Sequence, residues 1–193
     1  TSVKLILAGT ALSAICSAIS NFCLYVINNS SGAVEAVVRW TMGSLAGAEW
    51  ETNVWMLLVA ILGMIFFWTQ YRTLNLMLLG DETAVTLGTD LHRWRIIYLL
   101  ATSLLVEFAV YTAGVIGFVG LVVPHISRIL VGSDYKAMLP TSVLLGADIL
   151  LIADTVGRTI VPGMEIPVGI VMAVTGGPFF LYMLRKKGSV RGN

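Results

Sequence analysis

The sequence predicts an all-α, polytopic membrane protein. Hydrophobic residues make up 57% of the 193 residues and charged residues 12%, and the mean hydropathy is +0.87. A soluble domain is closer to about 45–50% apolar. Six apolar segments are near the length of about 17–25 residues that a transmembrane helix needs. These predicted spans cover residues 5–27, 54–69, 96–113, 115–131, 139–156 and 166–184.

The start of the chain does not resemble a signal peptide. Thr1 is followed almost at once by an apolar run that is long enough to span a membrane, and Lys4 is the only charged residue before that run. A signal peptide would combine a basic start, a shorter apolar core and a cleavage site of small residues. We therefore expect the chain to be a fragment, a cut or processed piece whose N-terminal half is absent.

The third and fourth predicted spans form one apolar run that contains Gly114 and Gly117. A single straight helix over the whole run would be longer than the bilayer is thick. Glycine is the residue that most readily allows a sharp change of direction. We therefore expect a tight re-entry or hairpin at these glycines.

The distribution of charge predicts the topology. With six spans, both ends of the chain lie on one side, and cytoplasmic loops are enriched in Lys and Arg. Ten of the twelve basic residues would lie on that side, namely Lys4, Arg72, Arg93, Arg95, Arg128, Lys136, Arg185, Lys186, Lys187 and Arg191. Only Arg39 and Arg158 would lie opposite, so both ends are predicted to be cytoplasmic. The net charge of +1 gives no indication of a nucleic-acid partner.

Two stretches between the predicted spans have a pattern of their own. Residues 31–50 place apolar residues at helical spacing and put Glu35 four residues before Arg39, which predicts an outer interfacial helix in contact with membrane lipid. Residues 80–95 form the longest polar stretch. Asp81 can cap a short helix through Leu87 that Gly88 ends, and Thr89 or Asp90 can start a second. An ordinary polar loop is the alternative.

Several motifs resemble one family of transporters. They are "LILAGTALSAICSAI" from Leu5, "RWTMGSLAGAEW" from Arg39, "LNLMLLGDETAVTLG" from Leu74, "GFVGLVVPHISRIL" from Gly117 and "LLGADILLIADTVGRTIVPGMEIPVGIVMAVTGGPFFLYMLRK" from Leu144. In this order they are similar to the permease subunits of ATP-binding-cassette importers for iron-siderophores, haem and vitamin B12. The resemblance implies a permease with roughly ten transmembrane helices in a bacterial inner membrane. Residues 1–193 would be the C-terminal portion of that single transmembrane domain, with about six of its helices.

The resemblance also implies the partners and the division of labour. Two permease subunits, identical or different, would pair around a central pathway, with two ATPase subunits inside and a solute-binding protein outside. The chain has no G-x-x-x-x-G-K-[ST] phosphate loop, so ATP and its Mg²⁺ would be bound by the ATPase. The chain itself would carry no cofactor and would not be an enzyme. A siderophore is the first expectation for the substrate, haem the second and cobalamin the third.

Particular residues acquire roles through the resemblance. The coupling segment would be the cytoplasmic loop 80–95, which contacts the ATPase through Gly80, Asp81, Glu82, Ala84, Leu87, Gly88 and Arg93. Arg158 matches the place where the family presents a basic residue to the binding protein, and Arg39 is the other outer candidate. Thr1 and Ser2 lie where the family forms its inner gate.

Two carboxylates near the middle of predicted spans stand apart from the family pattern. An ionised group at the centre of a membrane helix costs about 2.5–3.5 kcal/mol, so Glu107 and Asp148 should face protein or water. A pathway or packing role and a protonated, hydrogen-bonded structural role remain open. His125 has no further ligands at a spacing that suits a metal, so no metal site is predicted.

Two other classes of function compete with the importer. An intramembrane enzyme or proton-relay subunit would be built around Glu107, Asp148 and Asp154, but the sequence contains no recognisable pairing of a nucleophile with its base. A passive channel or structural subunit would not need the polar segment 80–95. Copurification with an ATPase would separate these alternatives.

Overall fold

The computed structural model describes residues 2–27, 31–80 and 90–190. The all-α prediction is confirmed. Within these ranges the chain forms eight α-helices: α1 Ser2–Ile27, α2 Ser31–Thr41, α3 Trp50–Thr69, α4 Tyr71–Leu78, α5 Leu91–Ala113, α6 Val119–Val131, α7 Tyr135–Thr159 and α8 Val168–Val190.

Four of the described helices are long and apolar enough to cross a membrane, which identifies a polytopic membrane protein. They are α3, α5, α7 and the part of α1 from Leu7–Val26. The remaining two predicted spans lie in shorter apolar helices, Val119–Val131 and Val168–Met183. Helix α6 has 13 residues and extends about 20 Å, which is less than the hydrocarbon thickness of about 30 Å. The segment 115–131 is therefore not a straight, full-length span.

The chain divides into two compact units, Thr1–Thr41 and Met42–Asn193. The first contains α1 and α2. Helix α2 occupies only the first part of the predicted interfacial helix 31–50, since residues 42–49 are non-helical. Gly43 adopts a φ of 70°, a left-handed conformation that is incompatible with a continued α-helix.

Helix α7 is at the centre of the second unit. It packs against α3, α4, α6 and α8. The core between α7 and α8 consists of Ala153, Val168 and Met172, with Ile116 and Val119 packed against it. Because Ala153 is small, the two helix backbones can approach closely, as is common in membrane helix pairs.

The predicted break between the third and fourth spans is present. Helix α5 ends at Ala113, and Gly114 follows with a φ of 70°. The chain then remains non-helical until Phe118, which adopts a left-handed φ of 65° and precedes α6. The carbonyl of Ala113 accepts a hydrogen bond of 2.9 Å from the backbone N–H of Ser44, so a backbone group at the break is satisfied by another non-helical segment.

A close backbone approach fixes the start of α8. The N–H of Gly169 donates to the carbonyl of Gly43 at 3.2 Å. A Cβ atom at position 169 would overlap the carbonyl oxygen of Met42. Glycine is therefore required here for contact between two backbones rather than for its φ angle.

The start of α5 differs from the prediction for residues 80–95. Asp90 does cap a helix, because its side chain accepts a hydrogen bond from the N–H of Arg93. That helix continues as the long α5 instead of ending as a second short helix, since no breaking residue occurs between Leu91 and Ala113. Helix α4 was not predicted; it follows α3 after the single non-helical residue Gln70.

Candidate functional site

Charged residues lie at both ends of the second unit. Helix α7 has 25 residues and is about 37 Å long, which is enough to reach from one membrane surface to the other. Packing brings the start of α7 to the end of α3 and to α4, while its last turns meet the start of α8. Lys136 lies in the first turn of α7, and Asp154 and Arg158 lie in its last turns.

At the far end of α7, Arg158 is held by two carboxylates. Its Nε lies 2.8 Å from Oδ2 of Asp154, and its Nη1 lies 3.3 Å from Oε1 of Glu165. Asp154 precedes Arg158 by four residues, a spacing that places two side chains on the same face of a helix. Glu165 was missed because it lies in the loop after α7. We call these three residues the Arg158 cluster.

The Arg158 cluster has donors left for a partner. A guanidinium carries five N–H donors in a planar fork, and the two carboxylates use only part of that capacity. The Arg158 side chain is 43% exposed, whereas Asp154 is 20% exposed. The cluster therefore presents an oriented guanidinium rather than a free cation, and a partner carboxylate would compete most directly with Glu165, which makes the longer contact.

Arg39, the second outer candidate, lies in the first unit. Its guanidinium forms an ion pair of 2.8 Å with Glu35 one turn earlier, and both side chains are 71% exposed. Such exposed pairs on one helix contribute little stability. The pair therefore leaves the guanidinium accessible to a partner.

Most of the predicted coupling segment lies outside the described residues, including Asp81, Glu82, Ala84, Leu87 and Gly88. Of the residues predicted to contact the ATPase, Gly80 and Arg93 are described, one near each end of the segment. Gly80 has a φ of 99° after the end of α4. Arg93 lies in the first turn of α5, where its Nε contacts Oδ2 of Asp90 at 2.9 Å and its side chain is 82% exposed.

A group of residues that the sequence did not single out joins α4 to the start of α7. Nδ2 of Asn75 donates to Oδ1 of Asp134 at 2.7 Å, and Oδ1 of Asn75 accepts from the N–H of Tyr135 at 3.0 Å. Nε1 of Trp68, near the end of α3, donates to the carbonyl of Lys136 at 3.1 Å. We call Asn75, Asp134 and the Tyr135 amide the Asn75 clamp.

Asp134 is also the N-cap of α7, since its Oδ1 accepts a hydrogen bond of 3.0 Å from the N–H of Lys136. The hydrogen bond from Asn75, the bond from the Lys136 amide and the positive charge of Lys136 together hold the pKa of Asp134 below its ordinary value. The carboxylate is therefore ionised at neutral pH and serves both α4 and α7.

The structure does not bring the predicted pathway residues together. Glu107 and Asp148 are both exposed on this chain, and neither makes a hydrogen bond or ion pair with a described residue. Thr1 lies outside the described residues, as does the side chain of Ser2. In the described ranges no three His, Cys, Asp or Glu residues are grouped as metal ligands would be.

A mainly apolar cavity of about 510 Å³ lies between α3 and α5, beside the break after α5. Its walls include Met56, Val110 and Ile116, and Asn53 and Glu49 add polar groups. Neither Glu107 nor Asp148 lines it. The cavity therefore does not unite the predicted pathway residues.

Comparison with solved structures relates this fold to a transporter. A structure described as "an inward-facing conformation of a putative metal-chelate type ABC transporter" superposes with a TM-score of 0.87 and 34% sequence identity, covering 94% of this chain and 58% of that one. Curated relatives include the hemin transport system permease protein HmuU of Yersinia pestis, 39% identical over 192 residues. Another is the vitamin B12 import system permease protein BtuC of Escherichia coli O157:H7, 38% identical over 185 residues.

The alignments cover 96–97% of this chain but 56% of each of these curated relatives, so the chain spans a little over half their length. That it corresponds to their C-terminal portion remains a prediction. The model of the FecCD transport family matches residues 1–186, which is nearly the whole chain. This chain belongs to the FecCD transport family.

Proposed function

We propose that this chain forms part of the permease subunit of a bacterial ATP-binding-cassette importer and moves its substrate by alternating access. The observation that carries the proposal is the family match over residues 1–186, in a chain whose described residues fold into apolar helices. The subunit would pair with a second permease, bind two ATPase subunits and receive substrate from a solute-binding protein. It would supply the pathway, while the ATPase would supply the chemistry.

The proposed substrate is a metal chelate, with an iron-siderophore first, haem second and cobalamin as the alternative. The relatives are named for hemin and for vitamin B12, and the similar solved structure is described as a metal-chelate transporter. These names share a large organic ligand that surrounds a metal. They support the substrate class and do not distinguish its members.

The orientation follows from the charges at the two ends of the second unit. The end formed by α4, the start of α5 and the start of α7 combines three basic residues with two carboxylates: Arg72, Arg93 and Lys136 with Asp90 and Asp134. The other end combines Arg158 with four carboxylates: Asp154, Glu165, Glu49 and Glu51. Basic residues favour the cytoplasmic side, so the first end would face the ATPase and the second the binding protein.

The coupling role of residues 80–95 has a direct test. In the full-length transporter with its ATPase, a cysteine at position 82 should form a disulfide with cysteines placed on the ATPase surface that faces the membrane. A cysteine at position 51, at the opposite end of α3, is the matched control. Crosslinking from position 51 but not from position 82 would contradict both the coupling role and the orientation.

The transport activity itself is tested in proteoliposomes that contain the full-length permease, its ATPase and its binding protein. We expect ATP hydrolysis and uptake to increase when the binding protein carries one of three probes: a ferric siderophore, haemin or cyanocobalamin. An ATPase variant without its phosphate-loop lysine is the control. Equal uptake by that variant would contradict ATP-driven import, and stimulation by one probe alone would identify the substrate.

A further inference from the structure

Asn75 uses both ends of its side-chain amide on one neighbouring helix. The amide donates to Asp134 and accepts from the Tyr135 N–H, at 2.7 Å and 3.0 Å. These partners are 59 and 60 residues away in the chain. Only a side chain with a donor and an acceptor in this arrangement can make both bonds, because a carboxylate cannot donate and alanine can do neither.

The backbone on either side of α4 is irregular. Gln70 interrupts the helical path between α3 and α4, with φ −92° and ψ 10°. At the other end, Gly80 has a φ of 99°, and no atom of a described residue lies within 4 Å of where its Cβ would be. Helix α4 has only eight residues, so it is short and bounded by irregular backbone. Helix α4 packs against both α3 and α7, and the contacts with α7 include both hydrogen bonds of Asn75.

We propose that Asn75 is a positioning residue for transport, which fixes the start of the 80–95 segment relative to the N-terminus of α7. This inference rests on the proposed function. Because Gly80 closely follows α4, a displacement that the ATPase imposes on this end of the segment would be transmitted to α7 through the Asn75 clamp. Helix α7 extends from this clamp to Arg158, so the clamp links the inner segment to the helix that carries the outer docking residue.

The clamp can be broken and then rebuilt with its polarity reversed. Asn75→Asp places two carboxylates face to face and removes the donor. Combining it with Asp134→Asn restores a donor, because the new amide at position 134 can donate to the new carboxylate at position 75. That carboxylate can still accept from the Tyr135 amide. In the wild type, one oxygen of Asp134 accepts from both Asn75 and the Lys136 N–H, so the new amide at position 134 must rotate to turn its Nδ2 toward position 75 and its oxygen toward the Lys136 N–H.

The experiment uses the full-length transporter with its ATPase and binding protein, and it measures ATP hydrolysed per substrate molecule imported. We expect Asn75→Asp to increase this ratio at least about fivefold, the equivalent of losing one hydrogen bond. The double variant should return to within about twofold of wild type. Gln70→Glu is the matched control, since it makes the same chemical change nearby at a side chain without a described hydrogen bond.

Additional measurements separate positioning from a loss of folding. The amount of copurified ATPase and the affinity for the binding protein should stay within about twofold in Asn75→Asp. Asn75→Asp could prevent the ATPase from copurifying. In that case, recovery of both copurification and the wild-type ATP-to-substrate ratio in the double variant supports the clamp, and no recovery overturns it. An unchanged ATP-to-substrate ratio in a stable Asn75→Asp complex also overturns it.

Failure of the proposed function would look different. If the wild-type complex imports nothing, hydrogen exchange at the Tyr135 amide still tests the clamp. Faster exchange in Asn75→Asp that slows again in the double variant supports the positioning role. Exchange that is the same in all three proteins overturns it.

Discussion

Replacement of Arg158 by Glu tests the outer docking surface most directly. The substitution removes the guanidinium that Asp154 and Glu165 hold and leaves three carboxylates side by side. If the binding protein presents an acidic group to this surface, the substitution converts an attraction into a repulsion. We therefore expect a large loss of affinity for the binding protein, with little change in ATP hydrolysis when the binding protein is absent.

The size of the effect follows from the exposure of the cluster. An ion pair at an exposed surface contributes up to about fivefold in affinity. Losing that pair and adding a repulsion of similar size gives about 25-fold weaker binding for Arg158→Glu at low salt. Arg158→Lys keeps the charge but loses the planar fork, so it should lose only part of that fivefold and weaken binding about twofold. Added salt should reduce the difference between the two variants.

The assay is binding of fluorescently labelled binding protein to the intact transporter in nanodiscs, at low and high salt. Glu165→Gln should strengthen binding about twofold, because a neutral amide holds the Nη1 donor less strongly and no longer repels a partner carboxylate. Arg72→Glu makes the same charge change at the other end of the unit and should leave affinity unchanged. Unchanged affinity in Arg158→Glu, or an equal loss in Arg72→Glu, would refute the docking assignment.

Three further outcomes follow from the structure. Gly169→Ala should destabilise the protein by at least about 2 kcal/mol, because its Cβ overlaps a backbone carbonyl. Gly120→Ala is the control and should not destabilise the protein, since its Cβ meets open space. Thermal melts measure both variants, and equal melting temperatures for the two would contradict the close approach at Gly169. The clamp at Asp134 should persist from neutral pH down to about pH 4 and weaken only below it, because a lowered pKa keeps the carboxylate ionised. Hydrogen exchange at the Tyr135 amide, corrected for its intrinsic pH dependence, measures whether the clamp is formed. Faster corrected exchange already at pH 6 would contradict a lowered pKa of Asp134. Cysteines at positions 107 and 148, replacing Glu107 and Asp148 in a chain without the two native cysteines, should react with water-soluble thiol reagents in the assembled transporter. Labelling mainly by lipid-soluble reagents would show that these positions face lipid.

Features determined by local sequence were predictable. The break after α5 follows from Gly114, whose positive φ ends the helix. The Asp90 cap follows from a side chain that reaches a backbone N–H three residues later. The pairing of Asp154 with Arg158 follows from one turn of helix. In each case, the interacting groups are separated by fewer than five residues, so the geometry of the helix is enough to place them.

Features that depend on tertiary packing were not predictable. The sequence gives no local reason for Asn75 to meet Asp134, because 59 residues separate them. Glu165 approaches Arg158 only because the loop after α7 turns back on the helix. The outer interfacial helix was predicted to extend to residue 50, but α2 ends at Thr41, before the left-handed Gly43. Hydrophobic spacing identified the helix and could not locate its end.

The position of Glu165 beside Arg158 has its origin one residue earlier in α7. The carbonyl of Gly157 accepts a hydrogen bond of 3.1 Å from the N–H of Ile166. A Cβ at position 157 would lie 2.6 Å from the carbonyl oxygen of Ile166, so only glycine lets the loop come this close without a shift. Because Glu165 immediately precedes Ile166, that contact places its carboxylate beside the guanidinium. A buried, chemically inert glycine thus sets the electrostatics of the exposed arginine next to it.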